Sequence, residues 1–161
     1  MITKGQKIPS VTIKQATPEG GAEVDPAALF AGKKVVMFTL PGAFTPTCSQ
    51  KHLPGYVQKL PELKAKGVDI VACLSVNDAF VMKSWAEQHD ALGKITMLAD
   101  GSGAFTKALG IELDLTAHGM GVRAARGVLT IDNGVVTSID MEAPGKFEVS
   151  SADACLIGLA K

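Results

Sequence analysis

The residues of this chain that are best suited to do chemistry lie in one stretch, Pro41-Gly42-Ala43-Phe44-Thr45-Pro46-Thr47-Cys48. Cys48 carries the nucleophilic sulfur, and Thr45, Thr47 and Ser49 flank it with hydroxyls. A cysteine is most often an inert, buried small hydrophobe. Hydroxyl neighbours and a loop stiffened by Pro41 and Pro46 are unusual company for such a residue. Proline removes backbone donors and fixes the chain, so the loop holds a reacting group in place. The apolar run Val35 to Leu40 before the loop reads as a buried strand, and a helical pattern starts at about Ser49. Cys48 therefore stands where a strand hands over to a helix. Unpaired N–H groups and the positive end of the dipole at a helix start favour a thiolate.

The elements that must position this sulfur follow from the apolar periodicity. Val11 to Thr17, with the turn Pro18-Glu19-Gly20-Gly21, predicts an amino-terminal β-hairpin. Asp25-Pro26 caps a short helix closed by Gly32. Leu53, Tyr56, Val57, Leu60 and Leu63 form one face of a helix reaching Lys66, with a kink or break expected at Pro54 and Pro61. Val68 to Val76 is apolar nearly throughout, as a strand buried on both faces is. A helix capped at Asn77-Asp78, a strand at 95–98 and a short helix at 105–109 come next. Arg123 to Ile131 reads as one strand, turning at Asp132-Asn133-Gly134 into a return strand that ends at Met141. A last helix starts at Ser150 or Ser151. This order predicts an α/β domain, residues 1–161, with a mixed central sheet flanked by helices.

Composition narrows the function. The 161 residues hold 16 Lys plus Arg against 16 Asp plus Glu, with no block of one sign. That balance argues against nucleic acid or an anionic membrane as partner. No apolar leader and no run long enough to span a bilayer is seen, so a soluble, cytoplasmic protein is expected. Three cysteines without a CxxC fit a reducing compartment better than a disulfide scaffold. Cys48-x₃-His52 is too few ligands for zinc, and His89 and His118 bring no cluster with them, so no metal is expected. His52 reads as a helix-surface or hydrogen-bonded residue. His118, beside Gly119-Met120-Gly121, is a weak candidate for a pocket mouth.

The stretch from Pro41 to Ser49 resembles the active-site loop of the peroxiredoxins, whose core pattern is Pro-x-x-x-Thr/Ser-x-x-Cys. The form Gly-Ala-Phe-Thr-Pro, followed by His52-Leu53-Pro54-Gly55, is similar to the type II, or peroxiredoxin-five, subfamily. The likeness continues in Ser75 to Met82 with Trp85, in Leu98-Ala99-Asp100-Gly101 and at Arg123. It covers most of the chain in the expected order. The resemblance implies a thioredoxin-like fold and reduction of hydrogen peroxide and alkyl hydroperoxides, with no cofactor. It implies Cys48 as the peroxidatic cysteine, oxidised to a sulfenic acid. It gives Thr45 a hydrogen bond to the peroxide, Pro41 the shielding of the sulfur, and an arginine the stabilisation of thiolate and breaking O–O bond. The pattern Gly-Val-Arg-x-x-Arg selects Arg123 for that arginine, with Arg126 its rival. Cys73 is the resolving-cysteine candidate and Cys155 a weaker one, since Ser150 stands where the animal enzymes carry theirs. If neither resolves, glutathione with glutaredoxin, or thioredoxin, is the implied reductant. Phe44 and Phe80 are implied near a homodimer surface. A non-catalytic redox sensor or holdase using Cys48 oxidation is the alternative function.

Overall fold

The computed structural model describes residues 1–160. A seven-stranded mixed sheet divides two apolar layers. Its strands are β1 (Ile13–Thr17), β2 (Gly20–Val24), β3 (Lys34–Thr39), β4 (Ile70–Ser75), β5 (Thr96–Ala99), β8 (Gly127–Asp132) and β9 (Val135–Met141), in the spatial order β2-β1-β5-β4-β3-β8-β9. The helices are α1 (Pro26–Leu29), α2 (Leu53–Ala65), α3 (Ala79–Gln88), α4 (Ala104–Leu109) and α5 (Ala152–Leu159). β3, β4 and β5 are parallel, and the other pairs of the sheet are antiparallel. This is the mixed α/β architecture with an amino-terminal hairpin that the periodicity predicts.

Alternation along the central strands explains the two layers. Val36, Phe38, Val71 and Cys73 face the layer that holds Cys48, Tyr56, Trp85 and Cys155. Val35, Met37, Ala72 and Leu74 face the other, with Phe30, Phe105 and Leu109. Successive side chains on a strand point to opposite faces, so a strand apolar at every position fits only where both faces are covered. Phe38 stacks flat on Tyr56 at 4.1 Å between ring centroids, a contact worth about 0.5–1.5 kcal/mol beyond area burial. It ties β3 to α2 directly beneath the cysteine loop.

Two local features differ from the expectation. α2 runs unbroken through Pro61, and Pro54 follows directly on a π-helical turn that continues into α2. The irregularity lies earlier, in a π-helical turn over Cys48–His52 closed by Leu53 N donating to the Cys48 carbonyl. The second difference is at 123–131, which is two strands. β6 (Glu112–Leu115) and β7 (Gly121–Ala124) form a separate small sheet, with Leu113 opposite Arg123. The chain leaves it at Ala125 and Arg126 before β8 begins. Ala125 bridges the two sheets: its N–H donates to the Ile111 carbonyl, and its carbonyl accepts from Thr39 Oγ1 at 2.7 Å.

Leu74 is wholly buried at the centre of β4. Leu74→Ala should cost about 3 kcal/mol and lower the melting temperature by roughly 6–12 °C for a chain of this size, readable by thermal unfolding.

Candidate active site

Pro46 and Thr47 are already helical, so Cys48 lies in the first helical turn, as the strand-to-helix reading predicts. Its side chain is fully buried. The loop before it is held from several directions. Ala43 N–H donates to Asn77 Oδ1 at 2.9 Å, and Ser49 N–H donates to the Thr45 carbonyl. Thr45 Oγ1 donates to the Gly42 carbonyl at 2.7 Å. That bond uses the hydroxyl proton and leaves the oxygen lone pairs as acceptors. Phe44 holds a left-handed backbone, φ 64°, which a bulky residue adopts only where the surroundings enforce it.

The arginine beside the sulfur is Arg126. Its Nη2 donates to Cys48 Sγ at 3.1 Å. Arg123, the residue selected from the Gly-Val-Arg-x-x-Arg pattern, makes no such contact: its Nε donates to the Met120 carbonyl at 2.8 Å and its Nη1 to the Pro41 carbonyl at 3.1 Å. The strand break explains the exchange. Arg123 lies within β7, in the small sheet, and clamps the backbone of the cysteine loop from there. Arg126 lies at the junction between the sheets. Gly42 permits the clamp, because a Cβ on it would stand 2.6 Å from Arg123 Nη1.

Arg126 has a second partner that the sequence reading did not assign to the site. Its Nη1 meets His52 Nδ1 at 2.9 Å. The other ring nitrogen, Nε2, donates to the Ser150 carbonyl at 3.0 Å. A carbonyl and a guanidinium admit one arrangement only: Nε2 carries the hydrogen, and Nδ1 accepts. His52 is fully buried, and burial followed by the Arg126 charge lowers its pKa from 6.5 to about 3. Both ring nitrogens are engaged, so neither is free to pair with Cys48 as a metal ligand. The Cys48-x₃-His52 spacing was the available signal, since it sets both side chains about one turn apart on one face.

Tyr56 OH also donates to the Ser150 carbonyl, at 2.8 Å. The segment carrying that carbonyl is organised by Glu142. Burial works against the Glu142 carboxylate. Hydrogen bonds from Ser150 Oγ and from the N–H groups of Glu148, Ser150 and Val149 outweigh it and hold its carboxyl below the ordinary range. Glu142 N–H in turn donates to the Arg126 carbonyl at 2.9 Å.

Arg126 lines a cleft of about 310 Å³ together with Pro41, Thr47, Leu113, Leu115 and Phe147. The Phe147 ring centroid lies 5.9 Å from the guanidinium carbon. A larger hollow, about 760 Å³, opens beside Phe80 and Asn77, and none of Pro41, Thr45, Cys48 or Arg126 lines it. Of these four, Thr45 and Cys48 line neither hollow, and Pro41 and Arg126 line the smaller cleft. His118 is not part of it; it lies on an exposed 3₁₀ turn, Thr116–His118.

The two other cysteines are free and buried. Burial, then the neighbouring Cys48, pushes the Cys73 thiol well above its ordinary range. Burial pushes that of Cys155 up to about 11. Phe44 and Phe80 are both exposed, Phe80 to 78%.

Residues 3–156 match the model of the Redoxin family. The chain is 46% identical to Peroxiredoxin-2E, chloroplastic, of Arabidopsis thaliana, over 98% of this chain and 69% of that protein. The crystal structure of reduced Prx3 in complex with H₂O₂ from Vibrio vulnificus superposes with a TM-score of 0.94 at 52% identity, covering 99% of this chain and 97% of the other. That of peroxiredoxin 5 from Alvinella pompejana gives 0.87 at 34% identity, with 99% of both chains covered.

The His52 shift carries a stability prediction. The unfolded chain binds a proton at this ring below about pH 6.5, and the folded protein resists it until about pH 3. Stability is therefore full above pH 6.5 and declines as the pH falls through that window. Glu142 works in the same sense. The midpoint of urea unfolding should drop from neutral pH to the middle of the window, and by less in His52→Asn, which has no titrating ring.

Proposed function

The chain belongs to the Redoxin family and, within it, to the type II peroxiredoxins, and from that membership, which makes it a thiol peroxidase, we propose that Cys48 is the sulfur that attacks the peroxide. The thiolate forms a bond to one peroxide oxygen while the O–O bond breaks. The other oxygen departs as hydroxide or alkoxide and takes a proton from water. Cysteine leaves as the sulfenic acid, oxidised by two electrons, and the peroxide as water or an alcohol.

The observation that carries this reading is the 3.1 Å contact between Arg126 Nη2 and Cys48 Sγ. A guanidinium is always charged, so it stabilises the thiolate without competing for the proton. Negative charge in the transition state spreads over sulfur and both oxygens, and a preorganised donor lowers the barrier where that charge develops. Thr45 fits its part because its oxygen retains acceptor capacity toward a peroxide O–H. Pro41 lines the cleft and offers no N–H to compete with it. Arg123 is assigned the holding of the loop through the Pro41 carbonyl, and Arg126 the chemistry.

For recycling we favour an external thiol. The sulfenic acid condenses with glutathione to a mixed disulfide and water, and a second glutathione, through glutaredoxin, restores the thiol and leaves oxidised glutathione. Thioredoxin is the other donor. Cys73 and Cys155 stand as resolving candidates only if the fold opens, because burial disfavours the thiolate of both. A reducing compartment, the cytoplasm, suits three free thiols. Exposed Phe44 and Phe80 support a homodimer that covers them, which sedimentation of a Phe80→Glu variant would test by dissociation.

Peroxide consumption should proceed with glutathione plus glutaredoxin and vanish in Cys48→Ser. One equivalent of peroxide followed by glutathione should add the mass of one glutathione at Cys48. An internal Cys48–Cys73 disulfide instead, with turnover on thioredoxin alone, would reject the glutathione route. Full turnover by Cys48→Ser would reject the assignment of the sulfur.

A further inference from the structure

Peroxide chemistry uses one nitrogen of the Arg126 guanidinium, and something must aim it. We propose that His52 is a positioning residue for the peroxide reaction: its hydrogen-free Nδ1 holds Arg126 Nη1 so that Nη2 is directed at Cys48 Sγ. The inference deepens the reading of Arg126 given above and rests on it.

Geometry carries the proposal. The two contacts are 2.9 Å, Nη1 to His52, and 3.1 Å, Nη2 to the sulfur. They leave from the two terminal nitrogens of one rigid plane, so fixing the first fixes the direction of the second. His52 is itself fixed. Its ring packs against Phe38 at 5.0 Å, Tyr56 at 5.7 Å and Phe147 at 5.1 Å between centroids. The Ser150 carbonyl holds Nε2–H and thereby selects the tautomer that leaves Nδ1 bare.

The bonds close into a circuit. Arg126 offers its carbonyl to Glu142 N–H, and Glu142 Oε2 accepts from Ser150 N–H and Oγ. Ser150 offers its carbonyl to His52, and His52 its Nδ1 to Arg126. The arginine is thus held at the backbone by Glu142, the residue after β9, and at the side chain by the cysteine's own helical turn. A π-helical turn suits this, because the wider turn brings both Cys48 and His52 inward. A protonated imidazole has no lone pair, so only the neutral ring serves, and burial among aromatic rings keeps it neutral.

Two substitutions separate positioning from filling space. Gln at position 52 supplies a donor where Nε2 stands and no acceptor where Nδ1 stands; Asn supplies an acceptor near Nδ1 and lacks the reach to Ser150. The readout is single-turnover oxidation of reduced protein by hydrogen peroxide, without any reductant. The rate is read from the mass of the acid-quenched protein, or from the fluorescence of Trp85, the chain's one tryptophan, whose Nε1–H donates to Ser49 Oγ at 3.0 Å beside Cys48. His52→Gln should slow oxidation by roughly ten- to a hundredfold, up to the loss expected when a group at a reacting centre is misplaced by about 1 Å. His52→Asn should recover the larger part of that loss. In an Arg126→Ala background, His52→Gln should slow it no further. Nitrogen NMR of the wild-type ring should show the hydrogen on Nε2, a measurement that needs no variant to fold. Wild-type rates in folded His52→Gln beside a slow Arg126→Ala, or a ring with its hydrogen on Nδ1, would overturn the proposal alone. Wild-type rates in Arg126→Ala would instead remove the arginine reading beneath it.

Discussion

A single guanidinium shared between a sulfur and an imidazole sets the terms for the rest of this protein. Arg126 is a permanent charge in a half-buried place, and such a charge is tolerated only with partners. It has three: Cys48 Sγ, His52 Nδ1 and the face of Phe147. Each makes a demand on the fold. The sulfur must lie in the first turn of a helix that starts at Pro46. The imidazole must be neutral and of one tautomer. The segment from Glu142 to Ser150 must fold back so that a carbonyl meets Nε2. Glu142 secures that return through its side-chain oxygens and, through its N–H, holds the Arg126 backbone. The segment from Glu142 to Ser150 therefore supports the Arg126–Cys48 contact through His52 and the Arg126 backbone.

The break between the two sheets is the backbone feature that makes this arrangement available. If residues 123–131 ran as one strand, Arg126 would be an interior ladder position with its direction fixed by the pleat. Ala125 instead bonds to Ile111 on one side and Thr39 on the other, and the chain turns from the small sheet into the large one. The turn leaves Arg126 over the end of β3, where the cysteine loop begins. Arg123, still within β7, reaches the same loop from outside and binds carbonyls rather than the sulfur.

The sequence made much of this legible. Strands apolar on both faces, Asp25 as a cap, a cap at Ser150 or Ser151 (it is Ser151), and the proline-framed cysteine loop each follow from a local rule, and each is found in place. What was not legible depends on contacts between distant segments. The choice between two arginines three residues apart turns on a strand break, and the apolar pattern runs through Ala124 and Ala125 without marking one. His52 reads as a helix-surface or hydrogen-bonded residue; it is the second, but nothing near it in sequence shows that a carbonyl 98 positions later will fix its tautomer. Pro61 warned of a break in α2 that burial of Tyr56 and Leu63 overrides. Cys73 shows the converse. Its place in a buried strand was plain, and it is that burial which makes it a poor nucleophile in this conformation.

Much of the account reduces to which arginine serves the sulfur. The most direct test compares the single-turnover rate constant of Cys48 with hydrogen peroxide in Arg126→Gln and in Arg123→Gln. The account predicts a loss of about a hundredfold or more for Arg126→Gln, as for removal of a preorganised charge-stabilising donor. Arg123→Gln should lose less, because Arg123 acts only through the loop it holds. The reverse order, with Arg123→Gln the slower of the two, would contradict it.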